Sequence, residues 1–413
     1  MRLQSLLPIA FLGSVVAAPV ADSWPFGPLV ANGRWIQNAK GQDVTYVGVN
    51  WSGHGEAMIP EGLQYQSISK IMSDIKSLGL NVIRLTFAIQ MIDEIYAKGG
   101  ADIPLSTAFT QALGATNGNR ILNQVLAKNP QFTASTTRLQ VFDAIAAEAL
   151  KQQIYVHLDN HISKAIWCCG ETDGNAWFGD TYFNVANWQR GLKYMATHGK
   201  SWPALTSIGL RNEPRNPSNN AAVARTYNWE TWYKNMIPAG AGVNEANADL
   251  LIFYSGMNYD TTLAPIPTAA DLGGGLRFRK TDFKYANKMV LEIHNYQTTA
   301  TSCNSITSGL YNGGYNALDA SNKAVVNVMP VVLTEWGHDQ TNAEYRGVYH
   351  TCLQSYLGGL KAGWMLWVIS GSYYVRSGTQ DYDETWALYN HNWSGWRQQA
   401  AAMAIKSMAA STV

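Results

Sequence analysis

Charge is scarce in this chain: 14% of its 413 residues are Asp, Glu, Lys or Arg, against about 25% in an average soluble protein. Thirty basic residues nearly cancel 29 acidic ones, leaving a net charge of +1. Such a balance offers no electrostatic reason to bind nucleic acid or an acidic membrane face. Beyond the first residues no run approaches the ~20 apolar positions that span a bilayer. Several motifs are missing as well. There is no His-Glu-x-x-His for a metalloprotease, no Gly-x-Ser-x-Gly elbow for an esterase, and no Cys-x-x-Cys spacing for a zinc site. Neither metal nor organic cofactor is therefore expected. No Ser/Thr/Pro-rich linker, charge block or internal repeat divides the chain. What remains is a 46% hydrophobic sequence with 15 Trp, 21 Tyr and 36 Gly. That composition supplies a large core and suits a rigid protein that handles a neutral, polar ligand.

Residues 1–18, MRLQSLLPIAFLGSVVAA, place one Arg before an apolar stretch from Leu6 to Val16 and end in small residues. This pattern predicts a secretory leader cleaved near Ala17 or Ala18, and hence an extracellular protein. Secretion opens disulfide chemistry to Cys168, Cys169, Cys303 and Cys352. A bond between adjacent cysteines is strained, so Cys168 and Cys169 are expected to pair with Cys303 and Cys352, in an order the sequence leaves open. Glycosylation sequons stand at Asn50 and Asn392. Asn50 ends a strand-like run, which makes Asn392 the expected acceptor.

Short β-rich runs alternate with amphipathic stretches along the chain. The runs cover 44–50, 82–87, 154–158, 206–211, 250–254, 289–294, 331–334 and 363–368. Their continuous apolar character fits strands buried on both faces of a parallel sheet. Helix-like segments at 67–78, 139–151, 188–197 and 345–357 lie between them. Ser67 stands at the first of these as a capping residue, and Gly79 follows its end. The fold class predicted is α/β, a (β/α)₈ TIM barrel forming a single domain over 19–413. A doubly wound open sheet is the alternative, but no glycine fingerprint follows the first run. The intervals at about 88–137 and 255–288 are expected to be loop excursions.

A (β/α)₈ barrel carries its site at the C-terminal strand ends. Those positions hold Asn50-Trp51, Arg84, Asp159-Asn160-His161, Asn212-Glu213, His294 with Tyr296, Glu335-Trp336 and Trp367. Any one of these polar residues reads as structural, whereas their concentration at a single rim does not. Glu213 and Glu335 follow the fourth and seventh runs, so they would face each other across the barrel axis. Two facing carboxylates suit cleavage of a glycosidic bond, one as acid and base and the other as nucleophile. A separation of about 5–5.5 Å would give retention of configuration, and about 6.5–9.5 Å inversion. Trp51, Trp167, Trp177 and Trp202 are further candidates for lining a sugar cleft.

The motifs Ile83-Arg84-Leu85, Leu158-Asp159-Asn160-His161, Arg211-Asn212-Glu213-Pro214, His294-Asn295-Tyr296, Thr334-Glu335-Trp336-Gly337 and Leu366-Trp367 occur in this order over residues 44–370. Together they resemble glycoside hydrolase family 5, the cellulase family of clan A. The resemblance implies that Glu213 is the acid/base and Glu335 the nucleophile, with Arg84 and Tyr296 holding and ionising Glu335. It implies that Asn212 binds the hydroxyl next to the reacting carbon. His161 and His294 would form the polar floor, and Trp367 the platform under the reacting sugar. The stretch after His161 departs from the family's usual pattern. Its Trp167-Cys168-Cys169 loop resembles a plant and fungal cellulase-like branch. The implied activity is retaining hydrolysis of β-linked glucosyl or mannosyl saccharides by a monomer, foremost as an endo-β-1,4-glucanase. Exo-acting β-glycosidase, β-mannanase, transglycosylase and a non-catalytic carbohydrate-binding barrel are the alternatives.

Overall fold

Each of the eight apolar runs forms one strand of a closed, all-parallel barrel: β1 (Val47–Trp51), β2 (Val82–Ala88), β3 (Tyr155–Ile162), β4 (Leu205–Gly209), β5 (Leu251–Tyr254), β6 (Met289–Asn295), β7 (Val331–Trp336) and β8 (Trp364–Leu366). The computed structural model describes residues 23–413, so the leader expected at 1–18 lies outside the described residues. β8 pairs with both β7 and β1, which closes the ring. Every residue of β1 to β8 is buried, as helices outside and packed side chains inside require.

The helical periodicities resolve into α1 (Ile68–Ser77), α2 (Ile89–Ala97), α3 (Leu105–Leu113), α4 (Ala115–Lys128), α5 (Arg138–Gln152) and α6 (Val185–His198), followed by further helices at Trp229–Ala246, Cys303–Gly313, Val348–Leu360 and Gln399–Thr412. Ser67 caps α1 through a bond from the Lys70 N–H, and Thr137 with Gln140 forms a capping box on α5. The interval at 88–137 is therefore helical rather than an excursion of loop. α2 and α3 begin at Ala88 and Pro104, neither of which supplies a capping side chain, so the start signal is absent from the sequence. Their apolar faces, with Ile92, Ile95, Leu105 and Phe109, are nevertheless buried.

The N-terminal end of the barrel is plugged. A hairpin of Val30–Asn32 and Trp35–Gln37 lies at that end, and Leu29 and Ile36 join Tyr46, Val82, Tyr155, Phe253 and Met365 in one apolar cluster. A second hairpin, Ser372–Arg376 with Thr379–Asp383, follows β8. The cysteines pair differently from the expectation. Cys303 bonds Cys352, with Cα atoms 5.3 Å apart, which ties the start of the Cys303–Gly313 helix to the Val348–Leu360 helix. Cys168 and Cys169 pair with each other. The bridge between two separate helices decides this, because it occupies both distant partners. Asn50 is fully buried and Asn392 exposed, as a strand end and a turn respectively require. Among the described residues no helix is long and apolar enough to cross a membrane.

Candidate active site

Strand register brings the polar residues to one level. Asn50 pairs with Arg84, Thr86 with Asp159, Asp159 with Gly209, and His294 with Glu335. Gly209 is needed here: a Cβ would stand 3.3 Å from Asp159, Glu292 and His157 side-chain atoms, which fill the barrel interior. Arg84 is the hub. Its Nη1 donates to Glu335 Oε1 at 2.5 Å and to Asn50 Oδ1 at 2.9 Å. Its Nη2 donates to Asn212 Oδ1 at 2.9 Å and pairs with Asp159 Oδ1 at 2.9 Å. Tyr296 donates its hydroxyl to the other Glu335 oxygen at 2.9 Å. Both Glu335 oxygens are thus held before any ligand arrives.

Glu213 is held differently. Its carboxylate Oε1 lies 3.0 Å from His294 Nδ1. Its backbone sits at φ +46°, a left-handed conformation that a residue with a Cβ rarely adopts. The Glu213 N–H donates to Asp260 Oδ2 at 2.8 Å, and the Glu213 carbonyl accepts from Arg215 Nη1 at 2.9 Å. Asp260 itself closes a run of three left-handed residues with Asn258 and Tyr259. The His294 N–H donates to the Asp260 carbonyl at 3.0 Å, so Asp260 ties together the chain around both Glu213 and His294. His294 Nδ1 and one oxygen each of Glu213 and Glu335 lie within 4.8 Å of one another.

Burial shapes the protonation of the two carboxyls. It pushes Glu213 up to about 7, against the pull of Arg215 and Arg84. It also raises Glu335 above its ordinary value, while His294 and Arg84 draw it back down. Arg84 and Tyr296 both bond Glu335, and the ionising effect of the guanidinium works against a desolvation that the sequence did not reveal. Burial drives His294 down to about 4 and His161 well below its ordinary value, so both imidazoles are neutral near pH 7. Beneath them burial also raises the carboxyl of Glu292, against the pull of Arg84.

All eight residues expected at the site, Glu213, Glu335, Arg84, His161, Asn212, His294, Tyr296 and Trp367, are linked in one network of side-chain contacts. His161 Nδ1 lies 2.6 Å from Asp159 Oδ2, and its ring stacks on Trp367 at 5.3 Å and 14°. Asn212 directs its amide nitrogen to Cys169 Sγ at 3.5 Å, which places the Cys-Cys pair at the edge of the site. Of the tryptophans proposed for the cleft, Trp51, Trp177 and Trp202 are buried in the core, and Trp167 alone packs against Trp367. No sequence signal points to Asp260, whose turn has no motif, or to His54, whose ring lies 3.9 Å from that of His161. Asp159 was visible at a strand end, but its bonds to Arg84 and His161 were not. Among the described residues two groupings carry metal-ligand chemistry, Glu213 with His294 and Glu335, and His161 with Cys168 and Cys169. In the second the sulfurs are engaged with each other.

The family model described as "Cellulase (glycosyl hydrolase family 5)" matches residues 37–372. A "Glycosyl hydrolase 5 family protein" of Chamaecyparis obtusa is 30% identical over 398 residues, covering 93% of this chain and 66% of that protein. The "Major extracellular endoglucanase" of Xanthomonas campestris pv. campestris is 25% identical, over 71% of this chain and 54% of that protein. The chain thus spans just under two thirds of the first relative's length and about half of the second's. Among solved structures, the catalytic domain of the same Xanthomonas enzyme superposes with a TM-score of 0.66 at 17% identity, covering 92% of this chain and 99% of that one. A cellotetraose complex of the endocellulase from Pyrococcus horikoshii gives a TM-score of 0.68 at 16% identity, covering 92% and 98%.

Proposed function

The chain belongs to glycosyl hydrolase family 5, and from that premise we propose that it cleaves β-linked glucosyl or mannosyl units with retention of configuration, Glu335 serving as nucleophile and Glu213 as acid and base. One observation carries the reading: oxygens of the two carboxyls approach within 4.8 Å, one carboxyl held by a cation and a phenol, the other partly buried beside a neutral imidazole. In the first step a Glu335 oxygen bonds to the anomeric carbon as the glycosidic C–O bond breaks, and the Glu213 proton passes to the departing oxygen. In the second, water gives a proton to Glu213 and its oxygen displaces Glu335 from the anomeric carbon. Burial keeps Glu213 protonated up to about pH 7, as an acid requires. Arg84 and Tyr296 stabilise the Glu335 carboxylate that must attack. The Asn212 amide is placed to bind the neighbouring sugar hydroxyl, and Trp367 offers a plane to the C–H face of the ring. Secretion completes the proposal, supported by the leader pattern and the Cys303–Cys352 bond.

The test is hydrolysis of aryl β-glucosides, aryl β-mannosides and the corresponding oligosaccharides, with the first-formed anomer followed by NMR. A β-anomer is expected. An α-anomer would show inversion and remove the nucleophile role from Glu335.

A further inference from the structure

A cavity of about 310 Å³ opens over Trp367 and Tyr296, walled by Trp167, Arg376, Tyr382 and Trp386. Trp167 comes from the loop after β3 and the other walls from the segment after β8. These two loops meet. The Arg376 guanidinium lies 3.6 Å from the centre of the Trp167 ring and 4.6 Å from that of Tyr382, and Trp167 packs on Tyr373 at 5.1 Å. Because β1 and β2 stand between β8 and β3 in the ring, this contact carries a wall across the rim above them. Arg376 Nη1 donates to Glu384 Oε2 at 2.7 Å, so the wall presents a paired rather than a free charge.

The wall is anchored from behind. Tyr374 packs edge-on against Phe109 of α3 at 5.0 Å, and its N–H donates to Glu61 Oε2 at 2.7 Å. Gln380 donates to the Leu113 carbonyl at 3.0 Å, and the Tyr65 hydroxyl donates to Asp381 at 2.9 Å. The helices at 88–137 thereby buttress the hairpin that follows β8. On the opposite rim, in the segments after β4 and β5, Asn219, Asn228 and Asn258 are exposed.

The direction of a bound chain follows from the roles proposed above. Glu213 must face the departing oxygen, so the leaving group extends on the β4 side, and the sugar attacked by Glu335 lies over Trp367, against the wall. We infer that the glycone end of the cleft is blind. The enzyme then takes the nonreducing terminus of a β-linked glucosyl or mannosyl chain, or of a short glycoside, and cuts a short glycone of fixed length from it. The leaving group is unrestricted. This inference rests on the retaining reading above and replaces the endo-acting β-1,4-glucanase expected from the family resemblance.

The experiment uses the unaltered protein with cello- and manno-oligosaccharides in three forms: free, reduced at the reducing end, and carrying a benzylidene acetal on the nonreducing terminal sugar. Products are followed by mass spectrometry from the earliest time points. Free and reduced chains should release one product of constant length, and the blocked chains should react about a hundredfold more slowly or worse. Equal rates on blocked and free chains, or a spread of early product lengths, would overturn the blind end while leaving the retaining mechanism in place. Absence of turnover on every form would instead overturn the functional reading on which the inference rests. A Trp167→Ala/Arg376→Ala variant should raise the blocked-to-free rate ratio by about tenfold or more, a ratio that general loss of activity does not move. A folded variant with an unchanged ratio would remove these two side chains from the wall.

Discussion

Glu213 and Glu335 are the same side chain on the same rim, yet the fold treats them differently. Glu335 lies near the end of β7, just past a shift in strand register, and has both oxygens engaged, one by a guanidinium and one by a phenol. Glu213 lies just past the end of β4 in a left-handed turn, and its carboxyl has a neutral imidazole rather than a cation as its close partner. Desolvation acts on both, but only at Glu335 is it opposed by a direct ion pair. The lesson is that neighbours, not residue type, divide the labour between two carboxyls at one opening.

Removing each member of the pair should break the comparison most sharply. Glu335→Gln is expected to lower turnover on the order of 10⁴-fold or more on every substrate, because no covalent intermediate can form. Steady-state rates on aryl and natural β-glycosides check this, and a variant active on either would exchange or abolish the assignment. Glu213→Gln should cost roughly 10²–10⁴-fold on natural substrates and far less in glycosylation by aryl glycosides whose leaving group needs no proton.

The pH profile sharpens the same contrast. The raised Glu213 carboxyl holds its proton up to about 7, so kcat/KM on a natural substrate should fall as pH rises through that value. In Glu213→Gln that alkaline limb should vanish. Its persistence would assign the limb to another group.

Smaller effects belong to the residues that position the two. Tyr296→Phe removes one hydrogen bond to a charged group, about 1.5–3 kcal/mol, and should lower kcat roughly 10- to 100-fold with the fold intact by circular dichroism. Asp260→Ala frees the Glu213 N–H and should cost about tenfold in kcat, whereas Asp260→Asn, which keeps an acceptor oxygen, should recover most of it. Equal activity of the two variants would mean that the bond to Glu213 does not position the acid.

The barrel was legible because all eight of its strands are buried on both faces and so read as apolar runs. The candidate site residues could be singled out because strand ends are short, local and recognisable. The uncapped α2 and α3 were not, and neither was Asp260, which reaches Glu213 only through three consecutive left-handed residues. The cysteine pairing failed for a similar reason: the strain of an adjacent pair is visible in sequence, whereas the proximity of two helices is not.

By itself, then, the sequence determined the strand count and the order of the motifs, and it singled out two candidate carboxyls, since each depends on periodicity or on neighbours along the chain. Only the tertiary structure decided how deeply those carboxyls are desolvated, which groups hold them, and where the cleft is walled. Those properties arise between residues as distant as Arg84 and Glu335, or Trp167 and Arg376, and contacts across such separations exist only once the barrel has closed.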